Sequence, residues 1–222
     1  MLYTRAGPEI AVATTKGYLT QIILLCLFSV FMAESLNSAP QELISEIKSE
    51  LLSLPEKISE ILNRQAEIKS LAYSFGNPKS VFFIGRNIDF AVALEASLKL
   101  KEISYIHSES YAAGELKHGT ISLIENGTPV IALCCHEKLF SKMQSNIKEV
   151  AARGANVLTC VTENFKNNTD IQLKTITIPT TNPLLIPILE VIPFQLFAYY
   201  AALNNGCDID KPRNLAKSVT VE

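Results

Sequence analysis

The sequence predicts an α/β protein whose core is a doubly wound parallel sheet covered by helices on both faces. Short, almost continuous apolar runs, typical of strands that are buried on both faces, recur through the second half of the chain. Helical segments separate these runs, and a glycine-containing turn, Gly85-Arg86-Asn87, follows the first of them. A strand, a glycine turn and a helix in that order open a doubly wound unit, in which ligands bind near the strand ends.

The chain divides into four regions. Residues 1–36 are predicted to hold a short strand at Leu2–Thr4 and an apolar helix at Tyr18–Ala33. Residues 37–75 repeat apolar positions at helical spacing among charged ones, which predicts a two-helix connector between domains. Residues 76–205 carry the sheet, and residues 206–222 form a polar tail that composition alone describes as mobile. Strands are predicted at Ser80–Ile84, Pro129–Cys134, Asn156–Val161 and Lys174–Ile178, and helices after Asn87, at Glu137–Arg153 and at Pro183–Leu203.

The apolar segment Tyr18–Ala33 raises the question of a membrane helix. It is about 16 residues long, whereas a spanning helix needs roughly 20 apolar residues. Thr20, Gln21 and Ser29 interrupt it with polar side chains. We therefore interpret the segment as a buried helix of a soluble core and expect no membrane partner, with a membrane helix as the alternative.

Composition excludes several classes of function. The 222 residues are 48% hydrophobic and 19% charged, and the net charge of −2 offers no basic surface for nucleic acid. The five cysteines form no CxxC pair, and the chain shows no secretory signal, which predicts a reducing cytoplasm. Cys134 and Cys135 lie inside an apolar run and are predicted to be small buried hydrophobes.

A charged stripe marks the helix that follows the first predicted strand. Glu95, Lys99 and Glu102 stand at i, i+4 and i+7, so they share one narrow helix face. This pattern predicts two carboxylates and an amine directed into a site. The alternative is a solvated ion-pair ladder on a surface helix, which is the usual meaning of such a stripe.

The residues beside the stripe favour the site over the ladder. Val92 and Ile103 flank it on one side and Leu98 on the other, so apolar positions border the charges. Ser97 and Lys101 lie on the opposite side of the helix and are predicted to face solvent.

The three histidines show no spacing typical of a metal site, and we predict neither a metal nor a cofactor. His118 lies in the polar, glycine-bounded segment 114–119, which predicts a loop or a helix cap, and a loop histidine could reach a ligand. His107 follows an apolar pair and is predicted to be a core histidine. His136 is predicted to lie on a surface turn.

Three separated segments carry a family resemblance: TRAGPEIAVATTKGY near the start, KLKEISYIHSESYAAGELKHG in the middle and DIDKPRNLAKSVTVE at the end. In this order they closely resemble the isomerase half of the glutamine–fructose-6-phosphate aminotransferases, or glucosamine-6-phosphate synthases, which are built from sugar isomerase (SIS) domains. The resemblance covers the whole chain. It implies that residues 1–36 are the last strand and helix of a truncated first SIS domain, that residues 76–205 are the second, and that residues 206–222 are an active-site tail.

The resemblance also implies roles for individual residues in the conversion of fructose 6-phosphate to glucosamine 6-phosphate. Glu102 matches the glutamate that shuttles a proton between adjacent sugar carbons, which suits a carboxylate. His118 matches a histidine that assists ring opening in the neighbouring subunit, which implies a homodimer. Lys217 matches the lysine that contacts the ring oxygen and forms an imine, and Lys99 the lysine beside the glutamate. The positions that match sugar contacts are Val12, Thr14 and Ala216.

Two parts of the family pattern have no counterpart in this sequence. A Ser/Thr-rich loop of the first SIS domain binds the phosphate group in the family, and a glutaminase domain with an N-terminal cysteine releases ammonia; here Met1 is followed by Leu2. We therefore expect a fragment with little or no synthase activity alone.

Two other functions remain open at the level of sequence. A regulator could use this region as a non-catalytic sugar-phosphate-binding module, but a regulator usually carries a helix-turn-helix with a basic face, and residues 41–70 mix acidic and basic side chains. A simple aldose–ketose isomerase would not need the tail 208–222.

Overall fold

The computed structural model describes residues 1–164 and 173–217, and it confirms the predicted doubly wound parallel sheet. Within these residues the sheet has five strands, all parallel, in the order β2-β1-β3-β4-β5. The strand order reverses between β1 and β3, and the crevice at such a point is where ligands bind in open α/β sheets. The strands are β1 (Ser80–Gly85), β2 (His107–Ala112), β3 (Pro129–Leu133), β4 (Asn156–Thr162) and β5 (Lys174–Ile178).

Helices cover both faces of the sheet. The helices are α1 (Lys16–Ser35), α2 (Gln41–Leu52), α3 (Leu54–Asn63), α4 (Gln65–Ser74), α5 (Ile88–Ser104), α6 (Phe140–Ala151) and α7 (Ile186–Asn204). Because strand side chains alternate between faces, Phe83 and Ile131 join the core beneath α4, α5 and α7, whereas Phe82 and Val130 join the core beneath α6. This arrangement gives three layers.

The edge strand β2 has no counterpart among the strands predicted from sequence. Its sequence, HSESYA, is polar because one of its long edges has no neighbouring strand in the described sheet, so it lacks the apolar run of a central strand. Its presence corrects the prediction that Ser97 faces solvent. The Ser108 hydroxyl of β2 donates a hydrogen bond to the carbonyl of Ser97 at 2.8 Å, and both residues are buried. Lys101 is exposed, as predicted.

The regions before the sheet differ from their predictions in two details. Leu2–Thr4 forms no strand; these residues are exposed, and no strand of the described chain lies beside them to pair with. The connector has three helices rather than two, because the chain turns at Ser53 and again at Arg64. Pro55 stands in the first turn of α3, where its missing N–H costs no hydrogen bond.

Helix α1 is not the buried helix that its composition predicts. Val30 is its only buried residue, and large apolar side chains such as Leu25 and Phe31 are exposed. Among the described elements α1 contacts α2 and, less extensively, α7. Every residue of α1 other than Val30 is exposed or only partly buried. By length and composition α1 and α7 are the two described helices that could cross a membrane, but 78% of the α7 span is buried in the core. An apolar composition therefore accompanies a buried core helix in α7 and a largely exposed helix in α1.

Gly85 sets the distance between the sheet and helix α5. A Cβ atom at this position would lie 2.6 Å from the backbone carbon of Asp89, closer than any real contact. Glycine therefore lets α5 begin directly against the end of β1. This close approach fixes the helix that carries the charged stripe.

Candidate functional site

The charged stripe of α5 is mostly buried, which argues against the solvated ion-pair ladder. Lys99 Nζ lies 2.6 Å from Glu102 Oε2 and 3.5 Å from Glu95 Oε1. The exposed fractions of the three side chains are only 6% for Lys99, 13% for Glu95 and 21% for Glu102. Lys99 therefore holds two carboxylates together at the inner side of the helix, where charges interact more strongly than at a solvated surface.

A cavity of about 200 Å³ opens beside Lys99. Four parts of the chain meet there: the segment before α1, helix α5, helix α7 and the start of the tail. The lining residues are Ala11, Ala13, Thr15, Lys99, Ile103, Gln195, Tyr199, Ile209 and Asp210. The structure therefore brings the three segments of the family resemblance to one place.

Hydrogen bonds hold the segment before α1 against the tail. The backbone N–H of Val12 donates to the carbonyl of Asp210 at 3.0 Å. The Glu9 carboxylate accepts a 2.7 Å hydrogen bond from the Thr15 N–H, and Lys16 Nζ donates to the Pro8 carbonyl at 2.6 Å. These contacts satisfy donors at the start of α1 and shape the loop that lines the cavity.

The start of the tail is anchored, although composition alone describes it as mobile. The backbone N–H of Arg213 donates to the Tyr105 hydroxyl at 2.7 Å, and the Arg213 guanidinium lies 4.2 Å from the centre of the Tyr105 ring. The Asp208 carboxylate accepts hydrogen bonds from the N–H groups of Asp210 and Lys211. Polar composition hides this anchoring because its contacts are made by backbone groups and by a tyrosine far away in sequence.

The cavity does not collect every residue that the resemblance predicts. Val12 and Thr14 lie in the lining segment, between the residues that line the cavity. Ala216 and Lys217 are exposed and do not line it in the described part of the chain, and residues 218–222 lie outside the description. His118 is 63% exposed in a short 3₁₀ turn, Leu116–His118, rather than an irregular loop; its Nε2 is 4.0 Å from Glu115. The roles assigned to these residues stay predictions.

The predictions for the other two histidines need correction. His107 is exposed rather than buried, because it begins the edge strand β2, and its Nδ1 lies 3.0 Å from the Ser80 hydroxyl. His136 is not simply a surface residue. Its ring is mostly buried, and its Nδ1 lies 2.7 Å from the carboxylate of Asp89, which is fully buried at the start of α5.

Two residues of α7 belong to the candidate site but have no signal in the sequence. Gln195 and Tyr199 line the cavity. The Gln195 amide nitrogen is buried and has no hydrogen-bond partner among the described residues, so it could donate to a bound ligand. Helix α7 also contains Glu190 and Asn204, so nothing in the sequence distinguishes Gln195 from its other polar side chains.

The electrostatics of the site follow from its burial. Burial raises the pKa of the Glu95 carboxyl, although the neighbouring Lys99 ammonium opposes the shift. Burial, together with the negative charges of Glu95 and Glu190, raises the pKa of Tyr18 to about 12. The phenol of Tyr18 therefore stays neutral at physiological pH.

The raised pKa of Glu95 predicts a pH-dependent difference between the wild type and a Glu95→Gln variant. Above the ordinary glutamate pKa of 4.5, the unfolded chain loses its proton more readily than the folded chain. The folded state then binds more protons, so the Glu95 carboxyl lowers wild-type stability as the pH rises toward its folded pKa. Urea unfolding at about pH 4.5 and about pH 7.5 should show the variant gaining relative stability at the higher pH. A relative loss there would contradict the assignment.

Comparison with known proteins agrees with this architecture. The SIS domain family matches residues 74–205, which include the whole sheet and helices α5 to α7. The chain belongs to the SIS domain family. Among solved structures, the C-terminal domain of glucosamine-fructose-6-phosphate aminotransferase from Francisella tularensis superposes with a TM-score of 0.89 at 33% identity, over 94% of this chain and 58% of that one. Glucosamine-6-phosphate deaminase from Thermotoga maritima gives a TM-score of 0.69 at 28% identity, over 96% of this chain and 59% of that one.

Two curated relatives of this SIS chain carry the same name. Glutamine--fructose-6-phosphate aminotransferase [isomerizing] from Clostridium acetobutylicum is 51% identical over all 222 residues, and the protein of the same name from Clostridium tetani is 53% identical. The chain spans 36% of the length of each of these relatives. Its similarity therefore lies with the isomerase part of larger enzymes.

Proposed function

We propose that this chain is the isomerase part of a glutamine–fructose-6-phosphate aminotransferase. Such an enzyme converts fructose 6-phosphate to glucosamine 6-phosphate with ammonia that it releases from glutamine. One observation carries the proposal: the buried Lys99–Glu102 ion pair lies beside the cavity where the first segment, α5, α7 and the tail meet. At about 200 Å³, that cavity is smaller than the 300–1,000 Å³ of most ligand sites. This supports a shared site, with a further wall and the phosphate-binding loop supplied from outside the chain.

In this proposal Glu102 moves a proton between C1 and C2 of the open-chain sugar. Lys99 orients the carboxylate through the 2.6 Å contact, and the general base accepts the proton from one carbon and returns it to the next. Lys217 contacts the ring oxygen, and its amine then condenses with the C2 carbonyl to form an imine with loss of water. Ammonia displaces the lysine amine from C2, and Val12, Thr14 and Ala216 contact the sugar. The anchoring of residues 208–213 supports a tail that can carry Lys217 toward this region.

The proposed assembly is a homodimer located in the cytoplasm. His118 would assist ring opening in the other subunit's site. Its side chain is exposed and does not line the cavity beside Lys99, which supports a role in the site of a neighbouring subunit. No nucleic acid or membrane is needed by this chemistry. The exposed apolar face of α1 would be covered by the preceding SIS domain rather than by lipid.

A chimera tests the proposal directly. The part of the Clostridium acetobutylicum relative that precedes its aligned region would be joined to residues 1–222 of this chain. The two proteins are 51% identical over these 222 residues, so this chain should replace the matching part of the relative. We expect glutamine-dependent formation of glucosamine 6-phosphate by the chimera and little or none by the 222-residue chain alone. A folded chimera that hydrolyses glutamine but forms no glucosamine 6-phosphate would contradict the proposal.

A further inference from the structure

Two thiols and a carboxylate converge in the core, away from the cavity beside Lys99. Cys135 follows the end of β3, Cys160 lies in β4, and Glu190 lies in α7. The two Sγ atoms are 3.7 Å apart, and one ligand atom from each of the three residues lies within 4.8 Å of the others. The three groups therefore face a common point between the sheet and α7.

Glu190 is the unusual member of this cluster. Its side chain is fully buried, and neither carboxylate oxygen has a hydrogen-bond partner among the described residues. Burial raises the pKa of the Glu190 carboxyl, and the nearby Asp89 carboxylate adds to this shift. The Cys135 thiol opposes it but does not outweigh it. An unpaired buried carboxyl is costly, so it calls for a partner that is absent from the protein groups around it.

We propose that Cys135, Cys160 and Glu190 form a binding site for a thiophilic divalent cation, with Zn²⁺ as the physiological candidate. Tetrahedral zinc with Zn–S bonds of about 2.3 Å places two sulfur ligands roughly 3.8 Å apart, which is close to the present spacing of the two Sγ atoms. Tetrahedral zinc places a sulfur and a carboxylate oxygen roughly 3.5 Å apart. Because the ligand atoms here lie within 4.8 Å of one another, the carboxylate needs to move by no more than about 1.3 Å to complete three ligands.

The cation would resolve the electrostatic problem of the cluster. Binding displaces the two thiol protons and the carboxyl proton to solvent, and the three negative ligands then share a double positive charge. It would also tie β3 and β4 to α7. Because Gln195 and Tyr199 of the same helix line the cavity beside Lys99, metal binding would stabilise that wall.

Metal content decides the proposal, without any measurement of activity. The full chain carrying Cys26→Ser and Cys207→Ser, which removes the two more accessible cysteines, would be reduced, equilibrated with ZnCl₂ and dialysed. We expect about one zinc per chain, and with Co²⁺ the visible and near-ultraviolet bands of a tetrahedral thiolate complex. Glu190→Gln and Cys160→Ala should each weaken zinc binding by about tenfold or more, because each removes one ligand.

Cys134→Ala is the matched control. Cys134 is as buried as Cys135 and adjacent to it, but it belongs to the core beneath α6 rather than the core beneath α7. Its loss should leave zinc affinity within about twofold of the parent. Less than about a tenth of a zinc per chain in the parent protein would overturn the proposal, as would equal binding by Cys160→Ala and Cys134→Ala. If a variant fails to fold, the cobalt spectrum of the parent decides alone, and a spectrum without thiolate bands rejects the site.

Discussion

Replacing Lys99 with methionine should destabilise the fold by about 3–5 kcal/mol, which is the usual cost of breaking a buried ion pair by removing one partner. Methionine matches the lysine side chain as far as Cε but leaves Glu95 and Glu102 without the intervening ammonium. The cost should show as a lower urea midpoint at neutral pH with an unchanged slope. At acidic pH the loss should shrink, because burial raises the pKa of the Glu95 carboxyl and its protonated form no longer repels Glu102.

Two further variants separate charge from packing. Lys101→Met changes an exposed lysine on the same helix and should alter stability by no more than about 0.5 kcal/mol. The triple variant Lys99→Met/Glu95→Gln/Glu102→Gln removes all three charges and should recover much of the stability that the single substitution loses. If the single and triple variants are equally unstable, lost packing rather than unpaired charge explains the effect.

The sheet was predictable where its strands are buried on both faces. β1, β3 and β4 are short apolar runs, and their flanking turns and helices defined the parallel alternation. Strand β2 escaped prediction because an edge strand needs apolar side chains on fewer sides, and HSESYA shows no such pattern. Because β2 was not predicted, Ser97 was wrongly assigned to the solvent face of α5. A helical wheel cannot show which face of a helix a polar strand covers.

Only the part of the site that lies on one helix was predictable from the spacing of residues in the sequence. Helical periodicity placed Glu95, Lys99 and Glu102 on one face, and their apolar neighbours indicated that the face is buried. The contribution of Gln195 depends on how α7 packs against α5, which is a long-range contact with no local pattern. The anchoring of Arg213 by Tyr105 spans 108 positions and is equally invisible to local reading.

Substituting Glu102 with glutamine should slow proton transfer in the active chimera by about 10²–10⁴-fold while leaving sugar binding almost intact. Glutamine has nearly the same shape as glutamate, but its amide cannot accept and return a proton. General-base catalysis contributes about 10²–10⁴-fold, so kcat should fall by that factor with little change in KM. Solvent deuterium exchange into fructose 6-phosphate, followed by NMR, isolates this step from glutamine hydrolysis.

Glu95→Gln in the same chimera is the matched control for Glu102→Gln. Glu95 lies on the same helix face and contacts the same Lys99 ammonium, at 3.5 Å rather than 2.6 Å, and it is also mostly buried. A variant that only disturbed the charge balance around Lys99 would slow exchange similarly at either position. Each substitution removes one negative charge that contacts Lys99. A loss of exchange only in Glu102→Gln therefore assigns the proton transfer to the Glu102 carboxylate. Exchange that survives in Glu102→Gln, or that falls equally in both variants, would show that Glu102 is not the base and that the stripe acts through Lys99.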